Sequence, residues 1–320
     1  MPSHPAARTA PSNCSVFSAT LHEPLAGTAP VASAWLAIEQ PGPWGARALT
    51  QSHLDPEIGA ELGRRAEALG LRIALIRRVG RHALTDPTAR RTALLCNTRP
   101  GAATVRAVKF SDPGELLDLN LGDLVAGRFA EGELLANPVM LVCTNGKRDQ
   151  CCAERGRALA LDLAQREAAR DGVQSSDVID IWESDHLGGH RFAPTAVVLP
   201  TGYVYGRLDA DAALAALDAA RGGQVMTENA RGRSTWSRAG QAADLALRTE
   251  LQQFDADAVW IVAEERTGED SYAVELSVDD DTRYRATVHG APASVPRPES
   301  CGKALGNPIE LRVTELEKLP

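Results

Sequence analysis

The chain has 320 residues, of which 44% are hydrophobic and 24% charged, and it carries a formal net charge of -8. This length accommodates two domains, or one domain with an appendage, and the composition is that of a globular chain. The acidic surplus argues against nucleic acid, whose phosphates demand a basic face, and fits docking to a basic protein partner. No apolar run approaches the roughly 20 residues needed to span a bilayer, so no membrane segment is expected. The opening stretch MPSHPAARTAPSNCSVFSAT lacks the apolar core of a secretion signal. The expectation is a cytoplasmic chain with reduced thiols, in which clustered cysteines mean metal or redox chemistry.

Residues 1–30, rich in Pro, Ala, Ser and Thr, read as an N-terminal arm that settles near PLAGTAP. A first unit, residues 31–135, opens with a strand at 34–40 and the breaker-rich loop PGPWG. A helix follows over 55–69, with Asp55 as N-cap, Pro56 in the first turn and Gly70 as the stop. Strands are expected at 71–79, 91–98 and 104–110, then a short helix from about Gly114. A second unit, residues 136–222, repeats that order. It has a strand at 139–143, a helix from about Cys152 to Arg170, and strands at 177–183, 196–200 and 203–208. Gly202 turns the last hairpin, and a helix spans 210–220. Strand, helix, three strands, helix is the order of the thioredoxin fold, whose sheet is mixed. The expected α/β architecture is therefore two tandem thioredoxin-like units with flanking helices, the first without ligands. After a linker or ordered loop at 231–234 comes a small α+β appendage, residues 235–320. It has a helix at 236–254, four strands and an acidic turn at 279–281.

Three of the 6 cysteines and two of the 7 histidines fall between positions 143 and 190. These soft and borderline ligands suit iron or zinc, and they suggest a cluster held by two thiolates and two imidazoles. Cys143 ends a strand and Cys152, nine positions on, opens a helix. A thiolate at a helix N-terminus meets unpaired amides and the positive end of the dipole. Lys147 and Arg148, in the loop between, would favour a bound anionic centre. Cys151 and Cys152 are adjacent, so only one is expected to face a shared centre, and the strand-to-helix geometry does not decide which. His186 and His190 flank Leu187-Gly188-Gly189. The glycines argue against a helix and for backbone that wraps closely around a bulky group. Leu187 stands where a zinc protease needs its glutamate, so that motif is absent. Glu183 and Asp185 are candidate carboxylates to orient an imidazole.

CTNGKRDQCC followed by WESDHLGGHRF closely resembles the sucrase/ferredoxin-like family of thioredoxin-like ferredoxins. The matching positions are Cys143, Arg148-Asp149, Cys152, His186, Gly188-Gly189, His190, Arg191 and Phe192. PLAGTAP, EQPGPWG and YGRL extend the likeness over most of residues 14–235. The resemblance implies one [2Fe-2S] cluster ligated by Cys143, Cys152, His186 and His190, and it nominates Cys152 over Cys151. Cys151 itself departs from the pattern, since relatives often carry Arg there. The implied function is one-electron transfer, with proton coupling where an imidazole meets water, between donor and acceptor redox proteins that the sequence does not name.

Two other readings use the same residues. A thiol–disulfide redox protein on the same fold would exploit Cys143, Cys151 and Cys152, although no C-x-x-C is present. A structural Cys2His2 zinc site would use the four cluster ligands, although Cys-x8-Cys is unusual for zinc fingers. Hydrolysis of a sugar bond needs two placed carboxylates, and no pair stands out. Cys14, Cys96 and Cys301 read as ordinary thiols.

Overall fold

A computed structural model describes residues 13–81, 89–172, 180–279 and 282–320. The described residues open with helix α1 (Cys14–Thr20), capped by the Asn13 side chain, which accepts from the Val16 amide at 3.1 Å. This segment was expected to belong to an arm; instead Cys14, Ser15 and Ser18 are buried. The first half of the main sheet then comprises β1 (Ala34–Glu39), α2 (Ala48–Gln51), α3 (Pro56–Leu69), β2 (Leu71–Arg78), β3 (Arg91–Asn97) and β4 (Thr104–Phe110). The signals that end α3 act as anticipated. Asp55 accepts from the Glu57 and Ile58 amides, and Gly70 takes the left-handed conformation at φ 63°. A 3₁₀ turn at Pro113–Leu117, α4 (Leu121–Val125) and the two-residue strand β5 (Glu133–Leu134) complete this half.

The second half is β6 (Val139–Cys143), α5 (Arg157–Asp171), β7 (Ile181–Ser184), β8 (Thr195–Leu199), β9 (Tyr203–Gly206) and α6 (Ala210–Arg221). The expected strand at 177–183 is seen from Ile181; positions 177–179 lie outside the described residues. The two halves repeat one pairing scheme. β1 lies parallel to β2 and antiparallel to β3, which pairs with β4; β6 lies parallel to β7 and antiparallel to β8, which pairs with β9. The halves are fused. β2 pairs antiparallel with β7, and a further strand, β10 (Ala230–Arg233), pairs with β9, so one ten-stranded mixed sheet runs β10-β9-β8-β6-β7-β2-β1-β3-β4-β5.

Strand alternation sorts the core. On β6, Met140 and Val142 face the cluster that α5 and α6 cover, while Val139, Leu141 and Cys143 face the opposite layer, where Trp35, Trp182 and Val197 also lie. That layer spans both halves. The edge strand β10 (Ala230–Arg233) falls where a linker or ordered loop was expected. Its Arg231 and Arg233 are fully buried. Arg233 donates to the carbonyls of Thr98 and Ala256 at 3.0 and 2.6 Å.

Helix α7 (Arg238–Leu251) then packs on an antiparallel sheet of β11 (Val259–Arg266), β12 (Ser271–Val278), β13 (Thr282–Pro292) and β16 (Ile309–Lys318). Asp280 and Asp281 of the expected acidic turn lie outside the described residues. Between β13 and β16, the short strands β14 (Arg297–Pro298) and β15 (Leu305–Gly306) form a separate ribbon. Among the described residues, no helix is long and apolar enough to cross a membrane.

The seam between the halves is the buried ion pair Arg77–Glu183, at 2.6 Å across β2 and β7. Burial is the largest influence on Glu183 and pushes its carboxyl up. The Arg77 charge, with hydrogen bonds from Arg77, Gly80 and Thr144, outweighs it and holds the carboxyl below its ordinary 4.5. Glu183→Gln leaves a buried guanidinium without its counter-charge and is expected to cost about 3 kcal/mol in urea unfolding at neutral pH. The wild-type contribution is complete above about pH 4.5 and is lost as pH falls through the lowered folded-state value. The difference between variant and wild type should therefore shrink in acid.

Candidate functional site

Cys143 is the last residue of β6, and the turn that follows returns the chain to the same point. Residues Cys152–Gly156 form one wide π turn that feeds α5. Gly156 makes the approach possible, because a Cβ there would sit 2.0 Å from the Cys143 carbonyl oxygen. Cys152 is thereby brought into contact with Cys143.

The histidine loop leaves β7 and is tied back to β2. The Asp185 amide donates to the Leu75 carbonyl at 2.9 Å, and the Leu75 amide donates to Asp185 Oδ1 at 3.1 Å. Arg72 donates to the His186 carbonyl at 2.9 Å. Gly188 and Gly189 then take φ of 81° and 74°, the left-handed region that glycine adopts without strain. A side chain at Gly189 would also run into the Arg231 guanidinium. Arg231 donates to the Gly188 carbonyl at 2.9 Å and to Thr28 Oγ1 at 3.1 Å, so this buried side chain forms the floor of the loop. A 3₁₀ turn, His190–Phe192, closes it. The Ala193–Pro194 peptide that follows is cis.

These elements bring together Cys143, Cys152, His186 and His190. Cys143 touches Cys152, the His186 side chain and the Leu187 amide. Cys152 Sγ lies 3.7 Å from His190 Nδ1. The two imidazoles stack at 4.6 Å between centroids and 16° between planes. His186 Nδ1 is buried without a hydrogen-bond partner. A buried ring nitrogen left unpaired is costly, and it is the atom a metal centre would satisfy.

The electrostatics suit ligation. Cys143 is held well below the ordinary thiol value, chiefly by its contact with Cys152 and then, against burial, by His186. Cys152 is pushed up by that same contact and by burial, so the pair gives up one proton readily and keeps the other. Burial, then the neighbouring His186, lowers His190 to about 4 and keeps its imidazole neutral, the ligating form. Burial raises Asp185 to about 7.

Glu183 and Asp185 do not orient an imidazole, contrary to expectation. Glu183 is taken by Arg77, the Thr144 hydroxyl and the Gly80 amide, and Asp185 by the Leu75 and His186 amides. A carboxylate that does approach the ligands is Asp149, which has a ligand atom within 4.8 Å of those of Cys152 and His190. The site opens on a polar cleft of ≈ 350 Å³ lined by His186, His190, Arg148, Arg191, Lys303 and Glu299 among others. Lys147 does not line it. The rim is thus cationic in a chain of net charge -8.

Cys151 points the other way, to Cys14 and Cys301. Arg231 was missed as a site residue because RGRS reads as a polar loop; its only sequence signal is Arg on alternate positions, which fits a strand. Glu23 was missed as well. It is buried, it pairs with Arg191 of the histidine loop at 2.7 Å, and it pairs with Arg297 at 3.0 Å.

A mixed sheet whose strand end, helix start and glycine loop gather two thiols and two imidazoles defines a Cys/His site of the kind that holds a metal centre. Residues 25–232 match the family described as sucrase/ferredoxin-like, and the chain belongs to that family. No curated protein and no solved structure matches the chain.

Gly156→Ala is expected to push the π turn off β6 at a cost of about 1–3 kcal/mol. It should also lower the metal retained per chain, measured by elemental analysis alongside circular dichroism. The metal-free chain should lose stability as pH falls from about 6.5 towards 4, because unfolded His190 takes up a proton that the folded site refuses. The loss attributable to this group is at most about 3 kcal/mol, and His190→Asn should remove it from the acid limb of the stability profile.

Proposed function

We propose that this chain is an electron-transfer protein that holds one [2Fe-2S] cluster through Cys143, Cys152, His186 and His190. The observation that carries the reading is the meeting of these four side chains, one of which, His186, has a buried Nδ1 without a hydrogen-bond partner. The donor set fits. Two thiols supply anionic sulfur and two neutral imidazoles supply nitrogen, the combination that holds mixed-ligand clusters. Membership of a family with ferredoxin in its description points the same way. All six cysteines are free thiols, in keeping with a reducing compartment such as the cytoplasm.

We further read each half of the main sheet, residues 31–135 and 136–222, as a thioredoxin-like unit, and residues 235–320 as a separate α+β domain. The repeated strand pairing supports the first assignment, and the separate antiparallel sheet supports the second.

When bound, such a cluster supplies one-electron chemistry. The chain sets its character. Imidazoles donate less charge than thiolates, so the potential should lie in the range of about -150 to +300 mV rather than near about -400 mV. With His190 Nδ1 turned to Cys152, its Nε2 is the ring nitrogen left for proton exchange with the cleft. The cationic rim of Arg148, Arg191 and Lys303 would receive a redox partner with an acidic face, in place of the basic partner that net charge alone suggests.

Anaerobically purified protein is expected to contain about two iron and two acid-labile sulfide per chain, with a rhombic EPR signal after reduction. His186→Cys and His190→Cys should retain the cluster and lower its potential. One zinc without sulfide, in protein expressed with ample iron, would leave a structural Cys2His2 site. The contact between Cys143 and Cys152 also gives the thiol–disulfide reading a physical basis. A disulfide between them, with no metal present, would establish that reading instead.

A further inference from the structure

Cys151, Cys14 and Cys301 form a second sulfur cluster. Their Sγ atoms lie 3.6 Å (Cys14–Cys151), 3.2 Å (Cys151–Cys301) and 3.5 Å (Cys14–Cys301) apart. The three positions are 137, 150 and 287 residues apart in the chain, so no local turn explains their meeting. Cys14 opens α1, Cys151 immediately precedes the π turn, and Cys301 lies between β14 and β15. Asp149 completes the group. Both of its carboxylate oxygens lie 4.0 Å from Cys14 Sγ, and the ligand atoms of all four residues fall within 4.8 Å of one another.

The setting of Asp149 points to a cation as well. It is only 4% exposed, and among the described residues it has no ion-pair partner. Three donors fix its orientation instead: the Cys151 amide, the Cys301 amide and the Ser300 hydroxyl, each at 2.9 Å. Among the described residues, then, this buried carboxylate and the three thiols are left without a paired cation, an arrangement that a positive charge would complete. Hydrogen bonds from outside that orient a ligand are also what metal sites provide.

We propose that Cys14, Cys151, Cys301 and Asp149 form a second metal site, for a divalent ion of the zinc class. Three thiolates and one carboxylate suit tetrahedral zinc, whose bonds to sulfur of about 2.3 Å place neighbouring sulfurs roughly 3.8 Å apart. The observed triangle is slightly tighter and needs only a small opening. It is far wider than a disulfide of about 2.05 Å. Binding sends to solvent the protons that these thiols still carry and sets one ion in their place.

The site would act as a structural clasp. It fastens α1 and the β14–β15 ribbon onto the loop that carries Cys152, and the Glu23 pairs with Arg191 and Arg297 join the same segments. Cys14 and Cys301 both lie outside residues 25–232, so the clasp is not contained in the segment that defines the family. It does not depend on the cluster reading, because it shares no ligand with it.

The test uses the full chain with Cys143→Ala and Cys152→Ala, which removes both thiolates of the other site. Cobalt(II) added anaerobically should bind at one equivalent, with thiolate-to-cobalt charge transfer and the intense visible bands of a tetrahedral ion. Adding Cys14→Ser or Cys301→Ser should weaken binding at least about tenfold. Should the double alanine variant fail to fold, zinc per chain is compared between Cys301→Ser and Cys96→Ser in the otherwise unaltered protein. The first should lose one equivalent and the second, a buried thiol on β3, none. No cobalt bound with the three thiols titrating as reduced, unchanged zinc in Cys301→Ser, or a disulfide among the three in anaerobic protein would each overturn the proposal.

Discussion

Three residue pairs hold this molecule together as one sheet. Ile76–Ser184, Arg77–Glu183 and Arg78–Trp182 form the antiparallel seam between β2 and β7. Without them the halves would be two small sheets, each with an open edge at the place where the other now sits. With them, the residues just beyond β7 emerge against the first half, which supplies Leu75 and Arg72 to fix Asp185 and His186. Among the described residues, the first half contributes no sulfur or imidazole to the Cys143–His190 site. It contributes the surface on which the histidine loop is shaped.

The Arg77–Glu183 pair illustrates how such a seam is made specific. Both side chains are almost wholly inaccessible, and the carboxylate also accepts from Thr144 and Gly80 while Arg77 reaches the Gly42 carbonyl and stacks over Trp44 at 4.2 Å. A buried pair of this kind adds little net stability over an apolar pair, but any slip in register would strand both charges. Thr144 lies next to Cys143, and Glu183 lies three positions before His186, so the register that this pair enforces is also the register of the site.

Local signals in the sequence translated well into structure. Asp55, Pro56 and Gly70 bound α3 through capping chemistry, which depends only on neighbours in the chain. The run from Cys143 to His190 was legible for a similar reason, since a strand end, a turn and a two-glycine loop are short-range features. What escaped were contacts made by residues far apart in sequence. Arg231 looks like a loop arginine until β10 docks beside β9 and sends its guanidinium under Gly189. Cys14 and Cys301 look like isolated thiols until two remote segments fold over Cys151. Glu23 is one acidic residue among 42 Asp and Glu until Arg191 and Arg297 enclose it. Periodicity and capping cannot report such meetings, because the topology of the whole chain creates them.

The adjacency of Cys151 and Cys152 has an energetic corollary. Their α-carbons are only about 3.8 Å apart, and their side chains diverge into two different groups of ligands. Charge placed in one group is felt in the other across a poorly screened interior. If each group binds its ion, the two equilibria are thermodynamically linked, and the linkage is reciprocal. An ion that changes the redox midpoint of its neighbour must itself be held more or less tightly according to that neighbour's oxidation state. Under the proposed electron-transfer function, a single peptide unit would then couple the scaffolding of this protein to its electron chemistry.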